Sequence, residues 1–396
     1  MEKNKININY LTDLIKNMNN DVYKYNELQT VIKERGVWVI KKFGKELKDI
    51  RIKNMKGYEG YPAVQILAAI TQFYPKVQKK IMKTFKKDLL TIKSDEGITL
   101  AHTLAMYGNC KMQKTLIEIF GKDIATIADN NGITLAHNLA RHGKGEVPLI
   151  ILDMFNYEIG TIKDNHGWTL AHSLLLNNSS PDEVFERVMK LFGNKIETIK
   201  DDMNITLAHK IARYGNDEIQ NMVLDILRKG TATITDYNGH SVADTLARHG
   251  DYWMHKRLLK LFGKDIETIK DKYGWTLAHT LARYRNTEIQ NIVLDMLGDK
   301  ILTIKSYNPL RRILKAHRKY PDTHFILNNA IYNEVNDEIS DIGLEKAWDS
   351  IGQRIKIKSF SVADILKQWG NLQIKGRVNE IIRNYKENQN KNLRGG

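Results

Sequence analysis

Apolar residues in the middle of the chain fall in paired bursts. Within residues 268–297, Leu277, Ala278, Leu281 and Ala282 keep helical spacing, a polar break follows, and Ile289, Ile292, Val293, Met296 and Leu297 keep it again. Steps of three and four place such residues on one face of a helix. The pattern predicts a short first helix of small residues and a second helix over 288–297. Ahead of the first helix, Asp271 and Gly274 carry turn chemistry: the carboxylate can bond local backbone, and the glycine can take positive φ. Thr276 stands where a helix N-cap hydroxyl is wanted. Thr303, Ile304 and Lys305 then lead back into a turn. Turn, helix, helix makes one repeat.

The repeat recurs. Asp-x-x-Gly-x-Thr-Leu-Ala-His-x-Leu-Ala returns with its glycine column at Gly97, Gly132, Gly167, Asn204, Gly239 and Gly274, at intervals of 35, 35, 37, 35 and 35 residues. A fixed period of this size is the signature of a stacked solenoid, since each repeat is too small to bury its hydrophobic face alone. In order and spacing the motif resembles the ankyrin repeat, Asp-x-x-Gly-x-Thr-Pro-Leu-His-x-Ala-Ala, over residues 91–305. Leu-Ala replaces that family's Pro-Leu, and each repeat exceeds the usual length of about 33 by roughly two residues. The resemblance implies an all-α, elongated helix-turn-helix solenoid with degenerate helical caps at both ends. Residues 1–56 are read as a basic N-terminal helical cap and 57–90 as a degenerate first repeat, with Gln65 in the histidine column. Residues 91–305 form six repeats, and 306–396 hold degenerate repeats, a C-terminal helical cap and a flexible tail. There, Phe360-Ser-Val-Ala-Asp-Ile-Leu366 echoes Ser241-Val-Ala-Asp-Thr-Leu246. The segment 332–358 has no place in this scheme.

Composition changes the picture mainly through charge. The chain has 396 residues, 42% hydrophobic, and a net charge of +15. That length would ordinarily suggest two or three domains; the repeat argues for one body. The charge is uneven: +10 over residues 1–90, −1 over 91–305 and +6 over 306–396. On a helical wheel over 75–90, Lys76, Lys79, Lys80, Lys83, Lys86 and Lys87 share one arc, and Val77, Ile81, Met82, Phe85 and Leu89 share the opposite one. A solvated outer face accounts for the arc; an anionic partner is the functional alternative. The single cysteine, Cys110, excludes an intramolecular disulfide and fits a reducing compartment. The first twenty residues lack the apolar stretch of a signal peptide, and no apolar run is long enough for a membrane span. The expectation is a monomer in the cytoplasm, or one delivered into a host cell.

Candidate chemistry is sparse. His102, His137, His172, His209 and His279 form a column, with Asp244 in the fifth repeat. Equivalent residues of stacked repeats lie roughly 8–10 Å apart, whereas metal ligands sit about 2 Å from a shared ion. The column is therefore expected to be structural, and the resemblance implies that each histidine bonds the backbone of a neighbouring turn. Asp129, Asp164, Asp201, Asp236 and Asp271 are explained by the turns. Phosphate-loop, nucleophile-elbow, His-Glu-x-x-His and Cys-x-x-Cys motifs are missing, so no enzyme activity, cofactor or metal is expected.

The variable columns carry what function can be read. The resemblance places on a concave surface the residues before the aspartates (Lys93, Ala128, Lys163, Lys200, Thr235, Lys270) and those after the glycines (Ile98, Ile133, Trp168, Ile205, His240, Trp275). It adds the first-helix ends, Met106-Tyr107, Arg141-His142, Arg213-Tyr214, Arg248-His249 and Arg283-Tyr284. Trp168, Arg213, Tyr214, Arg248, His249, Trp275, Arg283 and Tyr284 are residue types that form interface hot spots. Such a stripe can hold an acidic protein through charge-assisted bonds, or a nucleic-acid strand with phosphates on cations and bases on rings. A protein-binding scaffold is the first expectation and a nucleic-acid-binding solenoid the second.

Overall fold

The computed structural model describes residues 6–18, 21–52, 59–177, 181–307 and 359–394. Helices dominate these residues, and none is long and apolar enough to cross a membrane. The chain divides into two compact bodies, Met1–Tyr214 and Gly215–Gly396.

In the first body, helices Ile8–Asn17 and Val22–Asp49 pack together, and the longer one continues onto Ala63–Ile70 and Pro75–Thr84. Asn7 and Asp21 cap the two starts through side-chain oxygens. Short first helices follow side by side: Leu100–Tyr107, Leu135–His142, Leu170–Leu175 and Leu207–Tyr214. Each is buried along its Leu-Ala-x-x-Leu/Ile-Ala/Leu positions. Second helices Cys110–Phe120, Val147–Phe155 and Asp182–Phe192 alternate with them. The second body continues the alternation with Asp217–Leu227, Val242–His249, Tyr252–Phe262, Leu277–Arg283 and Thr287–Leu297, then Val362–Trp369 and Leu372–Arg394.

The turn chemistry works as its residue types require. Oδ1 of Asp129, Asp164, Asp201, Asp236 and Asp271 each accepts from two N–H groups, two and four residues on. The glycine column is left-handed, with φ between 72° and 83°, and Asn204 joins it at 56°. At Gly132 an added Cβ would lie 2.8 Å from the Asn165 nitrogen, because consecutive turn tips are tied backbone to backbone. Asn165 N–H donates to the Asn131 carbonyl at 3.0 Å.

Two features depart from the sequence reading of a repeat. The second helices do not run straight into the next turn. They stop at a left-handed residue, φ 51–54° at Gly121, Gly193, Gly263 and Gly298 and 45° at Asn156 and Arg228. A single 3-10 turn follows, burying Ile124, Ile159, Ile196, Ile266 and Ile301, with Thr231 in the same place. The lysine-bearing helix also ends earlier than the wheel over 75–90 assumes. It closes at Thr84, and Lys86 and Lys87 sit on the turn that follows, where Asp88 N–H donates to the Phe85 carbonyl. Phe85 and Leu89 remain buried, and Lys76, Lys79, Lys83, Lys86 and Lys87 remain exposed, with Lys80 half-buried.

Two columns of side chains bond one repeat to the next. In the first, Gln65 donates to the Ile98 carbonyl, His137 to Trp168, His172 to Ile205 and His279 to Phe360, at 2.8–3.2 Å. His102 faces the Ile133 carbonyl in the same manner without closing a full bond. The other ring nitrogen caps the helix: Nδ1 of His102, His137, His172, His209 and His279 accepts from the N–H of the preceding Thr99, Thr134, Thr169, Thr206 and Thr276. Where Nε2 meets a carbonyl it must donate, and where Nδ1 meets an N–H it must accept. The bond partners thus require the neutral tautomer protonated at Nε2. Burial also lowers the pKa of His102, His137, His172 and His279, the last two to about 4.

The second column lies on the second helices. Gln78 donates to the Tyr107 carbonyl, Gln113 to Ala105 and His142, Gln220 to His249, Gln290 to Ala282 and His255 to Ala247. These acceptors are the carbonyls at or near first-helix C-termini, which no intrahelical N–H can reach. Pro148 holds this place in the second repeat and can donate nothing from its ring. Asn177 of the third repeat supplies the missing amide, donating to Ala140 at 3.0 Å and Gly143 at 2.8 Å.

At the end of the chain the described residues keep the bonding pattern of the sequence repeats. Lys305 pairs antiparallel with Ser361, as Lys270 pairs with Thr276. Ser361 and Asp364 form a capping box, and Val362–Trp369 packs on Leu277–Arg283. Arg377 donates to Asn291 and Asp295 on the preceding second helix, as Arg257 does to Asn221 and Asp225. Residues 305–307 and 359–394 thus reproduce the strand pairing, capped first helix and arginine contacts of the sequence repeats. The paired residues stand 56 positions apart instead of 6. Residues 332–358 lie outside the described residues.

Candidate partner-binding face

The turn tips and first-helix ends present the variable columns, and in each body these side chains meet in a distinct cluster. In the first body Trp168 is half-buried, its ring centroid 5.3 Å from that of His172. Lys210 places Nζ 4.3 Å from the Trp168 centroid and 6.0 Å from that of Tyr214, and the Arg213 guanidinium lies 5.3 Å from the Tyr214 ring. Of the expected residues, Trp168, Arg213 and Tyr214 thus come together around a lysine that the sequence reading missed. The available signal was its column, which elsewhere holds Thr103, Asn138, Ser173, Thr245 and Thr280.

In the second body Asp244 is the hub. Its Oδ1 accepts from Thr280 Oγ1 at 2.6 Å and its Oδ2 from Arg248 Nε at 2.7 Å. Trp275 Nε1 donates to the same Thr280 hydroxyl at 3.0 Å, with its ring 5.0 Å from His279. Asp244 replaces a histidine of the staple column and becomes an anion that gathers Arg248 and, through Thr280, Trp275. Arg283 engages another ring. Its guanidinium lies 5.3 Å from the Trp369 ring, beside Arg285 at 4.6 Å. Tyr284 stacks on His255 at 4.1 Å. His249 is exposed, and its carbonyl is the acceptor for Gln220.

His240 stands after the glycine, where other repeats carry Ile or Trp. Its ring lies between Asp236, 3.2 Å from Nδ1, and Asp271, 3.5 Å from Nε2. Burial disfavours its charge, yet the hydrogen bond to Asp236 prevails and its pKa is raised. Asp271 is raised as well, chiefly by burial.

The expected basic face forms a separate region on the first body. None of its six lysines pairs with a carboxylate among the described residues. Among those residues no three His, Cys, Asp or Glu side chains gather as a metal would need. Cys110 is half-buried at the first position of its helix.

No protein-family model matches the chain, and no curated protein matches it.

Proposed function

We propose that the protein is a non-enzymatic scaffold of ankyrin-like repeats that recognises a macromolecular partner, a protein, through its turn tips and first-helix ends. One observation carries the reading: constant and variable columns divide the work. The Asp, Gly, Thr and His columns are consumed by bonds inside and between repeats. The columns interleaved with them vary and hold Trp, Arg, Tyr and Lys at positions open to solvent. Regular stacking supplies a rigid frame, and variable side chains on it supply specificity. Rigid presentation matters because side chains already held by cation–π and hydrogen-bond contacts lose less freedom on binding.

The test is capture of a partner with and without nuclease, followed by substitution. A protein partner survives nuclease treatment, and Trp275→Ala or Arg283→Ala weakens its binding by about 2 kcal/mol or more, as hot spots do. Capture that disappears with nuclease refutes the reading.

A second reading rests on the six lysines between Lys76 and Lys87, which face solvent without compensating carboxylates. Such a face suits a polyanion, and binding there would fall steeply as salt rises.

A further inference from the structure

Lys210 is the anomalous cation of the first body. Its column elsewhere holds small polar side chains, but here a lysine is packed to 7% exposure. It forms no hydrogen bond or ion pair among the described residues; its neighbours are the faces of Trp168 and Tyr214. Asp201 is the carboxylate that favours its charge, yet Oδ1 of Asp201 is already committed to the N–H groups of Met203 and Ile205. Arg213 and Arg141 both oppose that charge. Burial is the largest influence and brings the amine down to about 8. An amine so largely withdrawn from water is only partly compensated by the nearby Asp201 carboxylate, and two arginines add to the cost. What the arrangement lacks is an anion in direct contact with the amine.

We propose that Lys210, Arg213 and Arg141 form the acceptor site for a carboxylate on an acidic peptide segment of the partner, with Trp168 and Tyr214 as its walls. This inference rests on the scaffold reading and names the class of its partner. A carboxylate held by an ammonium and a guanidinium gains charge-assisted bonds, which are strengthened where water is excluded. A nucleic-acid strand fits less well, because stacking needs open ring faces. Lys210 already covers Trp168, and Arg213 lies against Tyr214. The repeat between Arg141 and Arg213 carries the half-buried Leu176 in their column rather than a cation. An acidic residue followed by an apolar one matches that sequence of surfaces.

The experiment measures fluorescence anisotropy of a dye-labelled peptide of Glu-Leu-Gly repeats against its Gln-Leu-Gly counterpart, using the full chain. The wild type binds the Glu peptide in preference to the Gln peptide, and Lys210→Thr weakens that binding about tenfold or more. Threonine fills this column at Thr103 and Thr280, so the variant keeps a side chain the fold accepts. Lys264→Thr, an exposed lysine of the second body, leaves the affinity unchanged. Acylation by a succinimidyl ester, read by mass spectrometry, supplies a second measurement: the Glu peptide protects Lys210 and the Gln peptide does not. Equal affinity of wild type and Lys210→Thr, absence of protection, or preferential binding of a single-stranded oligonucleotide at Lys210 overturns the proposal. Nuclease-resistant capture of a partner alongside a failed peptide test removes the Lys210 site alone; loss of that capture removes the scaffold reading.

Discussion

Acid should loosen the first body through its histidine staples, and His172→Gln isolates one of them. In the fold His172 is buried, accepts at Nδ1 from Thr169 and donates at Nε2 to the Ile205 carbonyl at 2.9 Å. Burial depresses its pKa from the usual 6.5 to about 4. The unfolded chain takes up the proton as pH falls below that usual value, whereas the folded chain resists until about pH 4. The staple's contribution is therefore complete above pH 6.5 and declines as pH falls through the interval down to 4. At pH 5 the decline for this residue amounts to about 2 kcal/mol relative to pH 7.5. Glutamine suits the site because Gln65 makes the same bond to Ile98 at 2.8 Å and cannot titrate. Loss of the ring's cap to Thr169 costs the variant about 1 kcal/mol at pH 7.5. Urea unfolding followed by circular dichroism at the two pH values provides the comparison. Stability of wild type falls between them by about 2 kcal/mol more than that of His172→Gln, with His102 and His137 contributing equally to both proteins. An identical fall in wild type and variant refutes the neutral, buried staple.

Arg228 occupies a left-handed helix stop at φ 45° that Gly121, Gly193, Gly263 and Gly298 fill elsewhere, so Arg228→Gly raises stability in urea by about 1 kcal/mol; no gain shows that Arg228 is unstrained there. Asn177→Leu strands the Ala140 and Gly143 carbonyls and costs about 1–3 kcal/mol in the same assay. Pro148→Gln, which restores the second-helix amide, recovers part of that loss, and a double variant no better than Asn177→Leu alone argues against the exchange of roles.

Sequence alone revealed whatever a single repeat carries within itself. The Asp-x-x-Gly turn, the Thr276 cap and the left-handed glycine column depend on neighbours a few residues away, so their residue types betray them. Gln65 was legible as a member of the histidine column because the period held its place. Hidden features depend on partners a full repeat or more distant. The buried Gln78, Gln113, Gln220 and Gln290 carry no sequence signal of their own, because their partners are first-helix carbonyls. Asn177 is likewise silent in the sequence, and the structure shows it answering Pro148. The last repeat was legible only through its echo at Phe360–Leu366, because the period cannot bridge a split of 56 positions between Lys305 and Ser361. At the candidate face, residue identity was readable and the contacts among those residues were not. Trp168 and Trp275 were expected as hot-spot residue types; the cation–π and hydrogen-bond contacts that hold them could not be read from the sequence, and Lys210 was concealed by lying on a helix face that repeats normally bury.

The exchange between Pro148 and Asn177 bears on how such a chain can change over evolutionary time. Tandem arrays grow and shrink by duplicating or losing whole modules, which is harmless only if each new junction bonds as well as the old one. A junction served by a glutamine of the earlier module tolerates any successor that presents a normal turn, because that module carries its own donor. The second module lacks that donor and depends on its successor for one. Loss of the third module would set Pro148 against the fourth, where Ala212-Arg213-Tyr214 stands in place of Leu175-Leu176-Asn177, and the Ala140 and Gly143 carbonyls would be left without that amide. Modules two and three are therefore coupled, because the donor missing from one is carried by the other.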